Sequence, residues 1–78
     1  MSEYKIQSVI FNKDKISLDK ALDWLVVNGY KIKKTDETLT MYRFRQLSLE
    51  YLKRKGFTEY RMKHLDDAVS LILAYKRI

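Results

Sequence analysis

The stretch "YKIKKTDETLTMYRFRQ", residues 30–46, decides how this chain is read. Tyr30 and Ile32 alternate with Lys31 and Lys33, the period of a half-buried strand over 30–34. Tyr42 and Phe44 alternate with Arg43 and Arg45 in the same way, a second strand over 39–46. "TDET" at 35–38 has the composition of a turn. With so short a connection the two strands pair antiparallel. The pair presents one apolar face and one basic face.

Toward the N-terminus, "YKIQSVIF" at 4–11 is β-branched and aromatic and reads as a strand, followed by a polar turn, "NKDK", at 12–15. Ser17 is suited to cap a helix in which Leu18, Ala21, Leu22 and Leu25 recur at helical spacing, with Asp19, Lys20 and Asp23 on the other side. Asp19 complements the dipole of the first turn. Asn28-Gly29 ends the helix.

Toward the C-terminus, Leu47, Leu49 and Leu52 belong to a short helix in 47–56, with Lys53, Arg54 and Lys55 at its C-terminal end and Gly56 after it. "FTEYRMKH" at 57–64 alternates again and reads as a strand. Asp66 or Asp67 then caps a last helix within "DDAVSLILAYKRI", 66–78, where Val69, Ile72 and Leu73 share a face and Leu65 leads in. The expected fold is a single α+β domain over 1–78, β-α-β-β-(short α)-β-α: a mostly antiparallel sheet of about four strands backed by two helices.

Composition limits the function. With 78 residues there is one small core, and without cysteine there is neither a disulfide framework nor a cysteine-based zinc site. The start of the chain lacks a signal-peptide pattern, and the longest apolar run, "LILA" at 71–74, is too short to span a bilayer. The expectation is a soluble protein inside a host cell, or in a virion made there, with no membrane partner. Small cores gain stability by oligomerising, so a homodimer is a further expectation. The last helix is apolar around more than one stripe, which makes Leu71, Ala74 and Tyr75 the candidates for that contact. The net charge of +6 and pI of about 9.6 point to a polyanion.

The alternation places that charge. If Tyr30, Ile32, Tyr42, Phe44, Tyr60 and Met62 face the helices, then Lys31, Lys33, Arg43, Arg45, Arg61 and Lys63 face away. Leu39, Met41, Phe57 and Glu59 would share that outward face. Like charges on neighbouring strands repel. With only Glu59 to offset them, a bound polyanion would supply the compensation, and arginine's planar fork suits phosphate oxygens. Against this stands the ordinary solvated face of an antiparallel sheet, and lysine's use as a guard on exposed edges. Lys53, Arg54 and Lys55 read either as a rim contact to phosphate or, slightly better, as a solvated helix end.

Catalytic chemistry is not expected. His64 is the single histidine, Asp66-Asp67 suits a helix start, and no glycine-rich phosphate loop or nucleophile–base spacing is present. No cofactor or metal is implied. Trp24 reads as a core anchor, whereas Tyr4, Tyr51 and Tyr75 are free to serve an interface.

Val9-Ile10-Phe11, Ala21 with Trp24-Leu25, Gly29-Tyr30-Lys31, Asp36 with Thr38, and the terminal Tyr42-Arg43-Phe44-Arg45-Gln46 together form a pattern. It resembles a small RFRQ-ending domain that recurs in phages, virophages and large DNA viruses, mostly in uncharacterised proteins. The resemblance covers about half the chain. It departs where members often have a proline soon after RFRQ, and a glycine where this chain has Asp67-Ala68. It implies a viral or mobile-element origin and, for small basic members, DNA binding or packaging. The expected function is therefore largely sequence-independent binding of nucleic acid, DNA above RNA. The phosphates would meet Lys31, Lys33, Arg43, Arg45, Arg61 and Lys63, with Lys53, Arg54 and Lys55 at the rim. The alternative is an interaction or virion-assembly module whose basic face meets an acidic partner or a second subunit.

Overall fold

A computed structural model describes residues 3–76. The chain runs β1 (Glu3–Asn12), α1 (Leu18–Val27), β2 (Thr35–Glu37), β3 (Met41–Arg45), α2 (Leu49–Arg54), β4 (Phe57–His64) and β5 (Val69–Lys76). The strands form one five-stranded sheet in the order β2-β3-β1-β5-β4, with every neighbouring pair antiparallel. The fold is α+β, as the alternating patterns indicate.

β1 is the central strand, and Gln7 to Phe11 are all buried. Val9, Phe11, Phe44, Val69, Leu71 and Leu73 close on Ala21 and Leu25 of α1 in the larger core. Phe11 meets Phe44 edge-on at 5.6 Å and Trp24 edge-on at 5.6 Å, the favoured geometry for aromatic pairs. Trp24 is thus the expected core anchor. The smaller core lies on the opposite side of the sheet, where Leu52 of α2 meets Phe57 and Ala74. The two helices therefore cover opposite faces, and each covers only part of its face.

α1 begins as expected: the Ser17 hydroxyl accepts from the Lys20 N–H at 3.3 Å, with Asp19 in the first turn. It ends at Asn28, and Gly29 takes φ 78°, a left-handed conformation that costs glycine little. α2 has the same plan, with Ser48 as cap and Gly56 at φ 88°.

Three segments differ from their sequence-based reading. The expected last helix is β5 over its described length, while Arg77 and Ile78 lie outside the described residues. Val69, Leu71, Leu73 and Tyr75 alternate with Ser70, Ile72, Ala74 and Lys76 between β1 and β4. Leu71 and Ala74 are buried, so the dimer contact expected of them is occupied by the sheet itself. Asp66 does cap, but it caps a turn: its Oδ1 accepts from the N–H groups of Ala68 (2.7 Å) and Val69 (2.9 Å).

The strand expected over 30–34 is irregular, and the pairing strand is β2, where a turn was expected. The hairpin turn lies at 38–41 instead. There the Thr38 N–H donates to the Met41 carbonyl at 2.8 Å, and the Thr38 hydroxyl accepts from the Met41 N–H at 3.0 Å. Leu39, at 94% exposure, sits in this turn and not on a sheet face.

Candidate nucleic-acid interface

Register partners share a face, so the ladder fixes where each basic residue points. Tyr42 and Phe44 are opposite Phe11 and Val9 and face α1, as expected. Arg43 and Arg45 are opposite Ile10 and Ser8 and lie on the other face, the one α2 covers in part. On β4 the expectation inverts. Arg61 and Lys63 pair with Leu73 and Leu71 on the α1 face, while Tyr60 and Met62 pair with Ala74 and Ile72 on the α2 face. A register shift between Phe57 and Glu59 marks an irregularity at the start of β4. Phe57 is 2% exposed, so it belongs to the smaller core and not to an outward face. The six cations expected on one face are thus divided between two faces and a loop.

Arg43 does not present a free phosphate row. Its Nε donates to the Ser8 hydroxyl at 3.2 Å, and its Nη2 donates to Gln7 Oε1 at 3.0 Å. The Ser8 hydroxyl also donates to Gln7 Oε1, at 2.6 Å. Gln7 and Ser8 are 1% and 0% exposed, and their side-chain polar atoms require partners. Gln7 sits at the register shift of β1, between Ile6 and Ser8. Arg43 is half-buried and closes this polar cluster.

Three of the expected residues do converge. Lys31, Lys33 and Arg45, together with Lys34, line one cleft of about 400 Å³ completed by Gln46, Leu47 and Ser48. Gln46 builds it. Its Oε1 accepts from the Lys31 N–H at 2.7 Å, while its Nε2 donates to the carbonyls of Lys31 (2.9 Å) and Phe44 (3.3 Å). The Arg45 N–H donates to the Lys34 carbonyl at 2.9 Å. One amide side chain thus takes the place that a strand partner would have over 30–34 and holds the lysine loop against the end of β3. Gln46 is itself anchored to the centre of the sheet, its N–H donating to the Gln7 carbonyl at 2.7 Å.

No carboxylate lines this cleft. The nearest bridge is Asp36 to Arg45 at 3.7 Å, a long and exposed pair that contributes little. Four cations with so little compensation suit an anion with several charges. Lys34 and Gln46 were not among the candidates. Lys34 could have been found, since Lys33-Lys34 breaks the alternation a strand requires. Gln46 could not, because its two bonds to Lys31 span 15 residues.

Lys53, Arg54 and Lys55 are exposed at the end of α2, with the Lys55 ammonium 6.0 Å from the Tyr51 ring. His64 Nδ1 lies 2.8 Å from the Ser70 hydroxyl, its register partner, as a cross-strand contact. Among the described residues no group of three or more His, Cys, Asp or Glu is placed to hold a metal ion, and no helix is long and apolar enough to cross a membrane. No family model, no curated protein and no solved structure matches the chain, so the interface is read from its own residues.

Proposed function

We propose that this protein binds DNA without catalysis and largely without sequence preference, holding phosphates in the cleft of Lys31, Lys33, Lys34 and Arg45. The observation that carries this reading is four cations around one cleft with no carboxylate in its lining. Lysines are mobile point charges, suited to tracking a phosphate backbone more than to reading base edges. Arg61 and Lys63, on the α1 face, add to the same field. The overall charge of +6 supports encounter with a polyanion.

The test is fluorescence anisotropy with random-sequence duplex DNA across a salt series. Four phosphate contacts give a log–log slope of about −3.6, a loss of roughly 150-fold between about 50 and 200 mM salt. Absence of binding at about 50 mM, by the duplex and by its single strand alike, would end this reading.

A second reading has its own observation. Met41 of β3, on the same strand face as Arg43, and Tyr60 and Met62 of β4 are exposed on the α2 face. Met, Tyr and Arg are the residue types that protein interfaces favour. With a second copy of the chain as partner, sedimentation equilibrium reads the dimer directly and Met62→Lys removes it. A monomer at all concentrations removes that version.

A further inference from the structure

α1 covers the middle of its sheet face and leaves the end near Glu3 open. Here Tyr4 and Tyr75, register partners on β1 and β5, lie 5.9 Å apart between ring centroids. With Tyr30, Ile6 and Lys63 they line a hollow of about 310 Å³, floored by the buried Leu71 and Leu73. That volume is at the lower end for a small-molecule site and suits one flat ring. Tyr4 is 59% exposed, so its ring is open to a ligand. Tyr30 is held in place by parallel stacking on Trp24, at 5.6 Å and 1°.

Cations frame the hollow. The Arg61 guanidinium lies 5.7 Å from the Tyr75 ring, and Lys63 is in the lining. Glu59, the register partner of Tyr75, is the carboxylate on the same stretch of β4. Tyr30 lines this hollow, and Lys31, the next residue, lines the separate lysine cleft. Arg61 and Lys63 thus lie on the same sheet face as the tyrosine platform.

We propose that the tyrosine hollow stacks an unpaired base and that the protein's ligand is single-stranded nucleic acid, with Arg61 and Lys63 meeting the adjoining phosphates. Sequence-tolerant single-strand sites combine a basic track with aromatic faces in this way. A duplex offers no free base face to the platform. The inference rests on the DNA-binding reading above and names the form of the ligand.

The experiment compares a single strand of about 16 nucleotides with its duplex, by anisotropy at matched salt. The variants are Tyr4→Leu and Tyr75→Leu, which keep apolar bulk, with Tyr4 the exposed position that the fold does not need. The expected result is tighter binding of the single strand, and roughly tenfold weaker binding in each variant. Duplex affinity and the salt slope stay unchanged in both variants. If both forms bind and the Tyr4→Leu protein binds the single strand as the parent does, the platform is refuted while the phosphate cleft stands. If neither form binds, the cleft falls, and the platform with it.

Discussion

Net charge and a built cleft make different predictions for two double substitutions that remove the same charge. Lys33→Gln with Lys34→Gln empties half of the cleft's cations, whereas Lys53→Gln with Lys55→Gln removes two cations from the end of α2. Both take the net charge down by two from +6. All four lysines are exposed, so neither pair disturbs a core, and stability should move by no more than about 0.5 kcal/mol per site. A cation that neutralises a phosphate releases counterions, contributing about 0.9 to the log–log slope and about eightfold in affinity at roughly 0.1 M salt. Losing both cleft lysines should therefore halve the slope, from about −3.6 to about −1.8, and weaken binding about 60-fold at that salt. The α2 pair should leave the slope unchanged and shift affinity by less than about threefold, through the longer-range field alone. Anisotropy titrations at four or more salt concentrations read both quantities. Equal losses in the two doubles would refute the cleft and leave only a diffuse basic surface.

The two arginines of β3 should separate. Arg45→Gln lowers the salt slope by about 0.9 with little change in urea stability, whereas Arg43→Met costs about 1–3 kcal/mol of stability and leaves the slope unchanged, because Arg43 closes the Gln7–Ser8 cluster. Gln46→Ala changes no charge, yet it should speed hydrogen exchange at the Lys31 amide, cost about 1 kcal/mol and weaken DNA binding, since it releases the lysine loop. Full protection at Lys31 in that variant would show that the loop holds itself. Leu25→Ala, at a fully buried site of the larger core, should lower urea stability by about 2–5 kcal/mol. A loss below about 1 kcal/mol would mean that the core collapses onto the gap.

What the sequence made legible was local, and what it hid was the order of the strands. Ser17, Gly29 and Gly56 mark helix ends by chemistry that lies within a few residues. The alternation in β3 is read correctly for the same reason. β5 is the opposite case. Val69, Ile72 and Leu73 share a helical face, but Val69, Leu71, Leu73 and Tyr75 also share a strand face. A strand flanked on both sides and covered in part on both faces carries apolar residues at both parities, and that erases the period that would identify it.

The consequence for the site follows from this one ambiguity. Reading 69–76 as a strand places β5 between β1 and β4, so β4 lies at the far edge from β3, and Arg61 and Lys63 cannot join Arg43 and Arg45. The register then sets their parity, turning them to the α1 face, where they frame the tyrosines instead. Alternation within a strand says which side chains share a face. It says nothing about which face another strand's residues will share, since that depends on pairing between distant segments. The total charge survives any such error, while its location does not. Here the cleft with no carboxylate in its lining formed at the segment where the strand expectation failed. The loop carries four positions, 31–34, of which three are lysine, and it is held by Gln46 and not by a ladder. A lysine-rich strand would have divided those charges between two faces. Held as an irregular loop, Lys31, Lys33 and Lys34 can all reach the same cleft, which is what a multiply charged anion requires.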